Sequence, residues 1–208
     1  MPSASPDLED LLRLKQGNLW LGKSVGRWHS TNMTLGLRRG VVRLVASQPT
    51  WPGAFEAEAN RLRKRMLIAG LTAVTFEHIG STAVPGLIAK PILDLLAGYG
   101  PKTDPREYIT VSVDAAYEHK GPQGVPGREF LVLGGEEART HHLNLVELEG
   151  DFWRSHLLFR DSLRHDASLV EAYASLKREL AERYPADREA YTAGKEHFIR
   201  EVIRADHR

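Results

Sequence analysis

The stretch from Glu77 to Leu96 constrains this chain more than any other, because it sets a single charge inside an apolar strand. Just before it, Ala73-Val74-Thr75-Phe76 is rich in β-branched and aromatic residues and reads as a strand. That strand runs into Gly80-Ser81-Thr82, a turn of small residues with free backbone N–H groups and hydroxyls. Pro85 and Gly86 punctuate a short irregular piece, and Lys90-Pro91 introduces a second apolar run, Ile92-Leu93-Asp94-Leu95-Leu96. A carboxylate in such a run costs on the order of several kcal/mol of desolvation unless it is paired or holds a cation. Asp94 therefore has a function or a hidden partner.

The rest of the chain predicts strands first and helices last. Val41 to Ser47 reads as a strand, and Pro52 opens a helix from about Gly53 to Leu67 with Phe55, Ala59, Leu62 and Met66 on one stripe. Its other face carries Arg61, Arg63, Lys64 and Arg65, read as a solvated face. Residues 98–106 form a plain connection, Tyr108 to Val113 reads as another strand, and Ala115 to Lys120 stays open between states. Gly121 to Gly127 is a glycine-rich loop of the kind that closes over ligands. Phe130 to Leu133 and His142 to Leu148 form a hairpin across Gly134-Gly135. Ser168 to Tyr184 is a helix capped by Asp166 and stopped by Pro185, and Asp187 to Arg204 is a second helix. The expected fold class is α/β (α+β), a mixed sheet backed by helices. Residues 1–34, with one or two helical turns at 7–14, are read as an extension of the domain that follows.

Composition removes several classes of function. Cysteine is absent, which excludes disulfides, thiolate metal sites and catalytic thiols. No apolar run reaches the roughly 20 residues of a transmembrane helix, and no signal-type core opens the chain. A soluble cytoplasmic protein is expected, without a membrane partner. Net charge is +1 and only one helix face is modestly basic, which supplies little of the electrostatic footprint of a nucleic-acid binder.

Gly-Ser after one strand and a carboxylate on the next resemble the signature of the nucleotidyltransferase superfamily. A closer resemblance is to its GrpB family. It is carried by Leu35-Gly36-Leu37, Gly40 to Val45, Trp51-Pro52 with Phe55 and Glu58, and the central His78-Ile79-Gly80-Ser81-Thr82-Ala83-Val84-Pro85-Gly86-Leu87. It continues through Ala89-Lys90-Pro91-Ile92, Asp94, Arg128 with Phe130, His141-His142-Leu143, Phe159-Arg160-Asp161, Tyr173, Lys177, Tyr191 and Lys195. The resemblance implies a nucleotidyltransferase-like domain over residues 35–208, binding ATP or another NTP with Mg²⁺. Two departures stand out. Leu96 occupies the place of the superfamily's second acidic residue, and Asn144 stands where the GrpB pattern has a second histidine.

Each candidate residue has a chemical and a structural reading. Gly80, Ser81 and Thr82 bind phosphate or simply make a tight turn. Asp94 holds the metal or forms an ion pair, and Lys90 neutralises phosphate or pairs with Asp94. Glu147, on a later strand, stands as the carboxylate that Leu96 does not supply. His78, Arg128, His142 and Asn144 are substrate-binding candidates, and strand alternation puts His142 and Asn144 on one face. Arg160 and Arg164, one helical turn apart, grip phosphate or pair with Asp161 and Asp166. With Asp94, Ser81, Lys90 and Glu147 as catalytic candidates, the expectation is nucleotidyl or phosphoryl transfer to a small-molecule acceptor. A carboxylate acceptor would lead on to an amide or ester. The alternative is a nucleotide- or phosphometabolite-binding protein that has lost catalysis.

Overall fold

The apolar runs on either side of the Gly-Ser-Thr turn become neighbouring antiparallel strands, β1 (Val74–Ile79) and β2 (Leu93–Tyr99), with Ile79 opposite Asp94. The computed structural model describes residues 35–101 and 103–206. The readings made for residues 1–34 lie outside the described residues. The expected hairpin is present as β4 (Arg128–Leu133) and β5 (His141–Glu147), and a short β3 (Glu118–His119) flanks it. The sheet runs β1-β2-β5-β4-β3, and it is mixed because β2 and β5 are parallel.

Helices cover both faces. Helix α1 (Trp51–Ile68) packs Trp51, Phe55, Ala59, Leu62 and Met66 against Leu93, Leu95, Leu143 and Leu145, forming the main core. Its 18 residues include the stripe that the sequence predicts. Helix α2 (Arg106–Asp114) completes this layer through Tyr108. Helix α3 (Asp151–His165) lies on the opposite face, where Trp153 meets Ile79, Leu96 and Val146. Helix α4 (Ala167–Arg183) starts at the expected cap, with Asp166 accepting from the Ser168 and Leu169 amides, and Pro185 follows its end. Two short helices, α5 (Arg188–Ala193) and α6 (Glu196–Asp206), finish the helical third. Among the described residues no helix is long and apolar enough to cross a membrane.

Three local expectations differ from the structure. Tyr108 to Val113 is helical, because Tyr108, Ser112 and Ala115 share a buried face and the Ser112 hydroxyl donates to the Tyr108 carbonyl at 2.8 Å. The valines there suggested a strand, but burial on one side only decided for the helix. Residues 41–47 form no ladder. Val45 makes an isolated bridge to Ala89, and the Val42 amide donates to Pro185 at 2.9 Å. The single helix expected over 187–204 is two, divided where Gly194 packs against Leu180.

The sheet meets α3 so closely at Gly98 that a Cβ there would lie 2.7 Å from both Leu148 Cδ1 and Trp153 Cζ3. Gly98→Ala is expected to lower stability by about 1–3 kcal/mol, the usual penalty for overpacking a filled core. Urea unfolding measures this, and an unchanged midpoint would show that the ring has room to retreat.

Candidate functional site

The site lies where β1 ends and β2 and β5 begin. Parallel pairing sets His142 directly beside Asp94, and His142 Nδ1 donates to Asp94 Oδ1 at 2.8 Å. An ionised carboxylate only accepts, so the ring N–H that meets Asp94 is on Nδ1, and Nε2 is the ring nitrogen left to face a ligand. Phe130 holds the other side of the ring, with centroids 5.2 Å apart. Burial raises the Asp94 pKa, but the His142 hydrogen bond and the His142 and Lys90 charges more than offset this and hold it below its ordinary value. Some 32% of the Asp94 side chain stays accessible, so it borders an opening rather than being sealed in the core.

Gly80 is what allows this approach. Its φ is +71°, and a Cβ would collide with the Asp94 carboxylate. Ser81 follows at the start of a 3₁₀ turn (Ser81–Ala83). Its hydroxyl accepts from Lys177 Nζ at 3.0 Å, and Lys177 also donates to the Ile88 carbonyl. Lys177 is 1% exposed, and its ammonium lies 4.7 Å from the Tyr173 ring centre. Beside it, Lys195 sits 4.6 Å and Lys90 5.5 Å from the centre of the same Tyr191 ring. Burial, with Lys195 and Arg178 nearby, pushes the Lys177 pKa down to about 7. Burial and the Lys90 charge push Lys195 to about 8, against the pull of Asp94. Lys90 is lowered by burial and by Arg188.

Other candidates have structural occupations. Arg160 is fully engaged: Nη1 donates to Glu77 at 2.6 Å and to the His78 carbonyl at 3.0 Å, while Nε and Nη2 hold Asp161. It ties α3 to β1 and leaves no edge for phosphate. Arg164 donates to the Ala83 carbonyl at 3.0 Å, which anchors the 3₁₀ turn, and stays half-exposed. His78 points to the α1 face, stacked on Phe55 at 4.7 Å and hydrogen-bonded to Thr82 Oγ1 at 3.0 Å. Burial drives its pKa to about 4, so it is a neutral support of the turn, and Thr82 is buried with it. Asn144 donates to the Leu95 carbonyl at 3.3 Å and braces β5 against β2. Arg128 stacks over Phe130 and Phe152 and donates to Pro122 and Gln123 carbonyls, closing the 121–127 loop.

Glu147 does not share a site with Asp94. It pairs with Tyr99 at the far end of β2, is exposed, and by strand alternation projects from the opposite face to His142. Glu77, the other carboxylate on the Asp94 face, is held by Arg160. Among the described residues no group of three or more His, Asp or Glu side chains is placed to hold a metal ion. A single carboxylate with one oxygen on His142 and lysines beside it is a poor donor set for a protein-held Mg²⁺. The structure does not bring Asp94 and Glu147 together, and the charged groups that act on Asp94 are His142, Lys90 and His78.

Lys177 and Lys195 were legible in the sequence only as matches to a family pattern. The signal for Lys177 was its place on the apolar stripe of α4, four residues after Tyr173 and three before Leu180, all three buried. A lysine on a buried stripe has the same claim to a function as an aspartate in a buried strand.

The sequence pattern of the family described as GrpB protein matches residues 41–205. A UPF0157 protein of Pseudomonas aeruginosa is 38% identical over 166 residues, covering 78% of this chain and 66% of that protein. Glutamate-rich protein GrpB of Alkalihalophilus pseudofirmus is 35% identical over 173 residues, covering 81% of this chain and 98% of the relative. The crystal structure of conserved protein GrpB from Enterococcus faecalis superposes with a TM-score of 0.69 at 30% identity, over 78% of this chain and 96% of the other.

The depressed lysines have a consequence for stability. Unfolded, Lys177 and Lys195 regain an ordinary lysine pKa near 10.5, so between about pH 7 and 10 the unfolded chain binds more protons than the folded one. Their contribution to stability therefore rises with pH across that window. Urea unfolding from pH 6.5 to 9.5 is expected to show a flatter pH dependence in Lys177→Met than in the unsubstituted protein. Identical slopes would mean that Lys177 is hydrated and keeps its proton.

Proposed function

The chain belongs to the GrpB family, and from that premise we propose that it binds a nucleoside triphosphate and transfers a nucleotidyl or phosphoryl group to a small acceptor. The observation that carries this reading is a set of lysines beside the Asp94–His142 pair, with Lys177 buried on the Ser81 hydroxyl and Lys90 and Lys195 half-buried around Tyr191. Phosphate oxygens are the ligands that such a turn and such lysines suit best. Buried ammonium groups that are already in place stabilise negative charge as it develops, and they need little rearrangement to do so.

In this reading Ser81 and Lys177 orient the phosphate chain, and Lys195 and Lys90 take up charge on the transferred group and the leaving group. An acceptor hydroxyl gives its proton to His142 Nε2, while Asp94 fixes the ring and stabilises the imidazolium; an acceptor carboxylate attacks already ionised and needs no base. The acceptor oxygen bonds to the α-phosphorus, the bond to the bridging oxygen breaks, and pyrophosphate leaves. For phosphoryl transfer the same attack occurs at the γ-phosphorus and a nucleoside diphosphate leaves. No step is assigned to a protein-held metal. The alternative, a binding protein without catalysis, draws on Leu96, which removes a carboxylate from the strand that carries Asp94.

Calorimetric titration with ATP tests the reading. Ser81→Ala and Lys177→Met are each expected to weaken binding by about tenfold or more, the size of one lost charge-assisted contact. Asp94→Asn removes a negative charge from a cationic site and is expected to keep or improve ATP affinity. Absence of ATP binding by the unsubstituted protein would overturn the nucleotide reading. If ATP binds but His142→Ala leaves every acceptor-dependent turnover unchanged, the assignment of the base is wrong.

A further inference from the structure

A second cleft opens beyond Lys90 and His142, away from the Ser81 turn. It opens to solvent, and Arg38, Lys90, Arg139, His142 and Arg188 are among its lining residues. Its walls are fixed by backbone pairing. Leu37 and Arg139 form an antiparallel bridge with both N–H···O bonds at 3.0 Å, and the exposed Arg39–Glu136 pair at 2.7 Å fastens the same two segments. The bond from the Val42 amide to the Pro185 carbonyl draws the start of α5, and with it Arg188, to the same side.

Arg139 is the unusual member. It is 5% exposed, its Nε is buried with no hydrogen-bond partner, and its guanidinium makes no ion pair among the described residues. Glu118 and Glu136 act on it from outside the cleft without pairing with it, and a buried donor is nearly always satisfied in a native structure. No carboxylate lines the cleft, and Arg188 faces Arg139 as a second cation close enough to depress its pKa. Arg188 acts on Lys90 and Lys195 in the same way, which links this cleft to the lysine cluster.

We propose that the cleft is an oxyanion subsite that holds a carboxylate or phosphate group of the second substrate, gripped in-plane by the Arg139 guanidinium and flanked by Arg188 and Lys90. A planar guanidinium edge with a free Nε–H offers two parallel donors to such a group. The rest of the substrate then leads to His142, which lines the same cleft and takes the proton. Naming the bound molecule the acceptor rests on the transfer reading above; the oxyanion site itself does not. The class of acceptor is thereby restricted to small molecules that carry an acidic group in addition to the group that is modified.

The probes are inorganic phosphate and succinate, titrated calorimetrically into the unsubstituted protein, Arg139→Gln, Arg188→Gln and Ser81→Ala. One or both anions are expected to bind. Arg139→Gln and Arg188→Gln should each weaken that binding by about tenfold and leave ATP affinity within a few-fold of the unsubstituted protein. Ser81→Ala should do the reverse. Preference for succinate assigns a carboxylate, and preference for phosphate a phosphomonoester. Arg188 is half-exposed, so its variant decides the matter if Arg139→Gln fails to fold. Failure of both anions to bind, or binding that both arginine variants retain, overturns the subsite. Anion binding lost in the arginine variants of a protein that ignores ATP would uphold the subsite and overturn the nucleotide reading.

Discussion

The structure turns on an imbalance of charge around one carboxylate. Asp94 enters an apolar strand and is reached by His142, while Lys90, Lys195 and, through them, Lys177, Arg188 and Arg139 surround it. One aspartate cannot neutralise that many cations, and several of them are buried. Burial and mutual repulsion that Asp94 only partly offsets depress the lysines, while Arg139 Nε has no hydrogen-bond partner. In the proposed reading a bound anion offsets that cost. The same balance is why the proposed reading gives the phosphate chain to lysines rather than to a protein-held metal.

The fold sets this up through a few precise contacts. Gly80 lets the chain turn against the Asp94 carboxylate, where any side chain would collide. Tyr191, 1% exposed, presents its ring to both Lys90 and Lys195, and burial lifts its phenol to about 12, so it adds no charge of its own. Arg160 spends all its donors on locking α3 to β1, which keeps the surface over Asp94 in place. Arg164, one helical turn on, anchors the 3₁₀ turn through the Ala83 carbonyl and retains more exposure than Arg160.

The sequence disclosed the parts whose logic is local. The apolar runs, the Gly-Ser turn, the hairpin, the Asp166 cap and the anomaly of Asp94 are all visible in short windows. What it hid is pairing direction and depth. Glu147 would stand near Asp94 if β2 and β5 ran antiparallel. They run parallel, so His142 takes that place and Glu147 lies at the far end. Arg139 and Arg188 look like ordinary loop and helix-start residues, and only the Leu37 bridge and the Val42–Pro185 bond bring them to one cleft. Tyr108 to Val113 misleads for the opposite reason, because β-branched residues also suit a helix that buries one face.

The central claim is that lysines, and not a protein-bound metal, hold the phosphate chain. Calorimetric titration of ATP into the protein in excess chelator, and again in saturating Mg²⁺, tests it most directly. The account predicts binding in chelator with an affinity within a few-fold of that measured with Mg²⁺. Binding that appears only with Mg²⁺ and is lost in Asp94→Asn would contradict it, and would return Asp94 to the role of metal ligand.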